Sequence, residues 1–215
     1  MQMLEAQWAK GNFVCVGLDS EYEKIPHHLK EGLSSLAGNI TEFNRLIVEA
    51  TKDLVCAYKP NSAFYESHGT EGWRALENTI RGIHEIAPDV PVILDAKRAD
   101  IGNTNNGYVK AAFEYLQADA ITVHPYLGRE ALQPFLEQVN KGIIVLCRTS
   151  NKGAHEFQDL EVIAQTEDEK RWGIGIGDNF APTPLKLYEC VALRVAHDWN
   201  TNGNCALVVG ATYPE

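Results

Sequence analysis

Pro91-Val92-Ile93-Leu94-Asp95-Ala96-Lys97-Arg98-Ala99-Asp100-Ile101-Gly102-Asn103-Thr104 is an apolar run that ends in a dense set of charges. The run Val92–Lys97 reads as a buried strand. Residues i and i+2 of a strand point the same way, so Asp95 and Lys97 share a face, and Asp100 follows in the turn beyond it. Two carboxylates can thus flank one ammonium. Opposite charges within about 4–6 Å favour the protonated lysine, which makes it a proton donor rather than a nucleophile. A carboxylate beside it would also repel a substrate carboxylate and relax as that group leaves as neutral CO₂. At about 4 Å and an effective dielectric near 20, each such contact amounts to about 4 kcal/mol. The bland alternative for D-x-K-x-x-D is a salt-bridged strand end that only orders a rim. A second lysine, Lys59, closes the run Val55–Lys59 and favours function, since such an alternating charge array is costly to desolvate.

Outward from that stretch, five further runs rich in Val, Ile, Leu and Cys recur at Phe13–Asp19, Val55–Lys59, Ala120–His124, Gly142–Arg148 and Ala206–Gly210. They are apolar throughout, as in strands covered on both faces. Between them the period becomes helical. Trp73, Leu76, Ile80 and Ile83 form one stripe in Thr70–Ile86, behind Thr70 as N-cap; Phe43, Leu46, Ile47, Ala50 and Leu54 form another. Leu187, Val191, Val195 and Trp199 form a third, with Pro184 near the helix start. Strand and helix in alternation mean a parallel sheet, either open and doubly wound or closed as a barrel. Reactive residues stand at the carboxyl ends of several runs: Asp19, Lys59, Asp95, Lys97, His124, Arg148 and Ser150. That favours an α/β chain of the TIM (β/α)8 type, where such ends converge on one mouth. Residues 1–215 are read as a single (β/α) barrel domain with about six of the eight units. The irregular stretch Asn151–Pro184 reads as a surface loop with a short helix inside it, and its glycines lack the strand and helix that a nucleotide loop requires.

Composition sets outer limits. With 45% apolar and 22% charged residues the chain is ordinary for a globular protein. Its net charge of −10 argues against a nucleic acid or an anionic membrane as partner. No signal peptide or long apolar segment is evident, so a cytoplasmic protein is expected. The five cysteines are odd in number and lack a C-x-x-C pair; they read as small buried hydrophobes, with no metal site and no disulfide framework.

On these residues the chain resembles the orotidine 5′-monophosphate decarboxylases, in the bacterial-type branch whose motif reads D-x-K-R-x-D-I-G-x-T. The likeness rests on Asp95, Lys97, Arg98, Asp100, Ile101, Gly102 and Thr104. Gly17-Leu18-Asp19, Lys59-Pro60-Asn61, Phe64-Tyr65-Glu66, His124-Pro125-Tyr126 and Cys147-Arg148-Thr149-Ser150-Asn151 add to it. The resemblance implies decarboxylation of orotidine 5′-monophosphate to UMP in pyrimidine biosynthesis, with no cofactor and no metal. It implies that Lys97 protonates C6 as the carboxylate leaves, that Asp95 sits against that carboxylate, and that Lys59 bridges the ribose hydroxyls and the charge network. Asp19 would bind a ribose hydroxyl and Ser150, beside Thr149, would read the pyrimidine edge. Asp100, Ile101 and Thr104 belong to the segment that reaches into a partner's site, which implies a homodimer with shared sites. Asn61 either contacts the ribose or caps the turn after Pro60, and His124 reads as a rim histidine.

The family continues past the last run with a seventh strand, a Pro-Gly-x-Gly-x-Gln phosphate loop and a phosphate-binding arginine. A chain ending at Glu215 is expected to be C-terminally incomplete, to bind substrate poorly and to expose two sheet edges. Three rival readings follow. A related sugar-phosphate decarboxylase would need Mg²⁺, which the cation of Lys59 would repel. A Schiff-base aldolase would need a lysine of lowered pKa, which flanking aspartates oppose. A non-catalytic binding protein of the same fold would keep the motif and lack turnover.

Overall fold

The computed structural model describes residues 1–31, 35–174 and 184–212. It divides into two compact units, residues 1–98 with 106–122, and residues 99–105 with 123–215. The expectation for the glycines of Asn151–Pro184 falls largely on residues 175–183, which lie outside the described ones.

In the first unit the order is α1 (Gln2–Ala9), β1 (Val14–Gly17), α2 (His27–Lys30), α3 (Leu36–Thr51), β2 (Val55–Lys59), α4 (Ser62–Glu66), α5 (Gly69–Ile86) and β3 (Ile93–Arg98). Helix α6 (Gly102–Val109) begins in the second unit and runs into a π-helical turn at Lys110–Tyr115 of the first, and β4 (Ala120–Val123) follows. β1 and β2 run parallel, with an irregularity between Val14 and Cys15. Parallel bridges join Tyr58 to Val92 and Asn61 to Asp95, and β4 is hydrogen-bonded to β3. The strands therefore deliver Lys59, Asp95 and Lys97 to the same end of the sheet.

Helices α3 and α5 pack on each other with Ile40, Val48, Leu76, Ile80 and Ile83 buried, Ala57, Tyr58 and Val92 are buried in the sheet, and Tyr58 Oη donates to the Val48 carbonyl at 3.1 Å. The buried face of α3 is Ala37, Ile40, Asn44 and Val48, not the stripe of Phe43, Leu46 and Leu54; Leu54 is 64% exposed. The difference has a polar cause. Asn44 is buried because Ser20, Tyr65 and Thr79 use its hydrogen-bonding groups: Ser20 Oγ donates to its Oδ1 at 2.5 Å, and its Nδ2 donates to Tyr65 at 2.9 Å and to Thr79 at 3.0 Å. Ser35 caps that helix, accepting from the Gly38 amide at 3.1 Å. Likewise α5 begins one residue before Thr70, at Gly69, whose φ of +56° makes the turn out of α4.

Gly72 fixes how closely α4 and α5 approach. A Cβ there would stand 1.7 Å from the Tyr65 carbonyl oxygen. Backbone cannot give way as a flexible side chain can, so Gly72→Ala should destabilise the protein by about 2–3 kcal/mol. Thermal unfolding followed by circular dichroism should show a fall of about 5–10 °C; an unchanged melting temperature would contradict the contact.

In the second unit α7 (Gly128–Leu136), β5 (Gly142–Arg148), β6 (Glu161–Ile163), α8 (Thr166–Trp172), β7 (Pro184–Lys186), α9 (Leu187–Arg194) and β8 (Cys205–Val209) follow in order. β5 and β8 are parallel, and β6 and β7 form a short antiparallel pair. That pair lies in the stretch expected as loop, though the short helix expected there is present as α8. Pro184 starts β7 rather than a helix; α9 is capped at Lys186, whose amide donates to Glu189 Oε2 at 2.7 Å. Leu132, Phe135, Ile143 and Val145 form the core of this unit.

All six expected strands are present, but they are not all covered on both faces. Among the described residues β1 pairs only with β2 and β8 only with β5. Val14 is 60% and Val209 63% exposed, as expected of edge strands. Neither parallel set closes on itself among the described residues.

Candidate active site

Asp95 is the hub of the charged strand ends. It is buried at the end of the apolar part of β3, and its amide is held by the Pro60 carbonyl at 2.9 Å. Its Oδ1 accepts from Lys97 Nζ at 2.7 Å and its Oδ2 from Lys59 Nζ at 3.0 Å. Asp95 and Lys97 thus form a direct ion pair, and the neighbouring strand supplies the second ammonium. Burial pushes the Asp95 carboxyl up, but hydrogen bonds from Lys97, Thr122 and Lys59 outweigh it and hold the group below the usual carboxylate range. Lys97 remains half open to solvent, with 48% of its side chain exposed, so its ammonium is both oriented and reachable.

Lys97 also departs from strand geometry, with φ at +47°. That left-handed step turns the chain out of the sheet and aims the side chain back over Asp95. Arg98, next in sequence, pairs with Glu66 of α4 and lies over the Tyr108 ring at 5.3 Å.

Asp19 stands two residues beyond β1 and is exposed. Its loop is anchored by Leu18, whose amide reaches the Lys59 carbonyl at 3.2 Å and whose carbonyl accepts from Tyr65 Oη at 2.8 Å. Asn61 caps α4, accepting from the Ala63 amide at 3.2 Å, which is the turn-capping alternative. Desolvation and the neighbouring Cys56 push the Cys15 thiol up to about 11, with Lys59 pulling it down and Asp19 and Asp95 raising it further. Cys15 is exposed, against the expectation of a small buried hydrophobe, because β1 lies at a sheet edge.

The remaining expected residues belong to the second unit. Asp100 Oδ1 accepts from the Ile101 amide at 2.7 Å, and Asn105 fastens the turn by accepting from the Asp100 amide at 2.9 Å and donating to the Ala131 carbonyl at 2.6 Å. Ile101 and Thr104 are exposed. Thr149 Oγ1 accepts from Gln158 Nε2 at 2.8 Å, and Arg148 pairs with Asp159 at 3.0 Å. Ser150 lies against Gly210, where a Cβ would come within 3.1 Å of the Ser150 amide nitrogen. The structure therefore joins Lys59, Asp95 and Lys97 directly; in the other unit it sets Asp100 and Ile101 on an anchored turn before Thr104 of α6, and Thr149 and Ser150 just beyond β5.

Sequence reasoning missed Thr122, Asn105, Gln158 and Gly210. For Thr122 a signal existed: it is the polar middle of Ala120–His124, two residues before His124 and so on the same face of the strand. Among the described residues no cluster of three or more His, Cys, Asp or Glu side chains is arranged to hold a metal ion. No helix among them is long and apolar enough to cross a membrane.

Parallel strands with helical crossovers, carrying an aspartate between two lysines at strand ends, define an α/β protein with a charged strand-end site. The family model described as Orotidine 5′-phosphate decarboxylase / HUMPS matches residues 12–181, and the chain belongs to that family. The orotidine 5′-phosphate decarboxylase of Herpetosiphon aurantiacus is 48% identical over 201 residues, covering 94% of this chain and 66% of that protein. That of Ralstonia pickettii is 45% identical over 215 residues, covering 100% of this chain and 70% of that one. The chain thus spans about two thirds of the length of these curated relatives. Among solved structures, Leishmania donovani OMP decarboxylase superposes with a TM-score of 0.77 at 39% identity, over 99% of this chain and 71% of that one. Leishmania donovani UMP synthase gives 0.76 at 40% identity, over 99% of this chain and 40% of that one. The fold class is that of these enzymes, the TIM barrel, of which the chain carries parallel β/α units.

Proposed function

We propose that the protein decarboxylates orotidine 5′-monophosphate to UMP without cofactor or metal, as part of pyrimidine biosynthesis in the cytoplasm. The observation that carries this reading is the Lys97 ammonium seated on Asp95 at 2.7 Å with Lys59 on the other carboxylate oxygen. When the substrate's C6–carboxylate bond breaks, CO₂ leaves neutral and the electron pair stays at C6. Lys97 Nζ then transfers a proton to C6, and the resulting amine regains one from solvent. Asp95, held ionised, opposes the substrate carboxylate and is relieved as charge leaves it. Favouring the transition state over the bound substrate in this way is what raises kcat.

Lys59 would hold ribose hydroxyls while fixing Asp95, and Asp19 and Asn61 would contact the ribose. Ser150 and Thr149 would read the pyrimidine edge. Asp100, Ile101 and Thr104 would serve a second copy's site in a homodimer. Residues 1–215 would all contribute to one barrel domain.

The test is the change in absorbance of orotidine 5′-monophosphate on adding the protein in EDTA, with UMP identified chromatographically. Turnover in EDTA is expected. Turnover that appears only with Mg²⁺ would point to a metal-dependent relative, and none under either condition would point to a binding protein.

A further inference from the structure

Thr122 touches both halves of the Asp95–Lys97 pair and is only 2% exposed. Its Oγ1 accepts the Lys97 amide hydrogen at 3.0 Å and donates to Asp95 Oδ1 at 2.8 Å. A hydroxyl has one hydrogen, so these two contacts set its direction. With its acceptor side toward the amide, its hydrogen goes to the carboxylate. Asp95 Oδ1 then receives hydrogen bonds from Lys97 Nζ and Thr122, and Oδ2 receives one from Lys59 Nζ. Three donors converge on a carboxylate, and a proton added to it would have to displace one of them.

The same hydroxyl bears on Lys97 through the backbone. Lys97 holds a φ of +47°, a conformation lysine rarely adopts, and such strain persists only where surroundings hold it. The Lys97 amide is tied to the Thr122 side chain on the neighbouring strand β4, so this bond secures the turn that brings Nζ back over Asp95.

We propose that Thr122 is a positioning residue that fixes the Asp95 carboxylate and the turned backbone of Lys97 as one unit, so that the ammonium stays aimed where a proton must be delivered. The inference rests on the decarboxylase reading for its kinetic arm only. Within this unit the titratable groups around Asp95 are Lys59 from β2, Lys97 from β3 and the Cys15 thiol from β1; β4 contributes Thr122, which carries no charge.

The experiment compares Thr122→Val, which keeps shape and removes the hydroxyl, with Thr122→Ser, which keeps the hydroxyl, both in the full chain. Three things are read: kcat and KM, the Asp95 titration by carboxyl-carbon NMR, and hydrogen exchange at the Lys97 amide. In Thr122→Val, kcat should fall about 10- to 100-fold, the scale of a lost hydrogen bond to a charged group. KM should stay within about threefold, because uniform binding is untouched. The acid limb of the rate profile and the Asp95 titration should move to higher pH together, and the Lys97 amide should exchange faster. Thr122→Ser should restore all three. Should Thr122→Val fail to fold, Thr122→Ala supplies the same readouts with a smaller side chain.

An unmoved Asp95 titration and an unchanged Lys97 amide in the hydroxyl-free variant would overturn the proposal. So would a Thr122→Ser protein as impaired as Thr122→Val. If the parent protein itself shows no turnover, the decarboxylase reading fails, while the titration and exchange measurements still decide the role of Thr122.

Discussion

Replacing Lys97 with alanine should abolish measurable decarboxylation, with kcat reduced by about 10⁴-fold, because the substitution removes both the proton donor and the cation beside the reacting carbon. The fold should survive. Lys97 is half exposed, and its side-chain partner Asp95 keeps Lys59 at 3.0 Å and Thr122 at 2.8 Å. Melting temperature should shift by only a few degrees, and binding of UMP, followed by calorimetry, should persist. A Lys97→Ala protein that turns over within about tenfold of the parent would remove Lys97 from the chemistry, since a positioned general acid contributes at least about 10².

Asp95→Asn tests the other half of the array and should behave differently. The amide keeps the shape and can still accept from one lysine, but it no longer opposes a substrate carboxylate. Substrate binding should therefore tighten or stay level while kcat falls by about 10²- to 10³-fold, a scale typical of losing one preorganised electrostatic group. A drop in kcat accompanied by a drop in KM is the signature of ground-state strain removed. If KM rises strongly instead, Asp95 acts by organising Lys59 and Lys97 and the repulsion argument is wrong. Steady-state kinetics with the two parameters measured separately decide between these outcomes.

The strand ends were legible because two simple rules meet there. Period-2 spacing points to Asp95 and Lys97 as a pair, though it is the left-handed step at Lys97 that brings them together, and Val55–Lys59 and Gly142–Arg148 have in the structure the bounds their apolar runs suggest. Helix faces were less legible where polar groups go inside. Asn44 lies outside the apolar stripe, and only the placement of Ser20, Tyr65 and Thr79 around it explains why α3 carries it into the core. The β6–β7 pair was invisible because its strands have three residues each and are far apart in sequence, and Pro184 carries a stronger helix-start signal than strand signal. Thr122 was passed over because a threonine in an apolar run reads as ordinary β filler. Its importance comes from what β3 presents opposite it, which no local pattern contains.

The left-handed backbone at Lys97 has a consequence for anyone trying to make this protein hardier. A non-glycine residue held there costs about 1–2 kcal/mol that glycine would not, and asparagine would incur less of it than most. Screens that reward heat resistance alone will therefore drift toward replacing the side chain proposed to deliver the proton. Selection for turnover holds the lysine in place against that drift, so position 97 is where durability and usefulness pull in opposite directions.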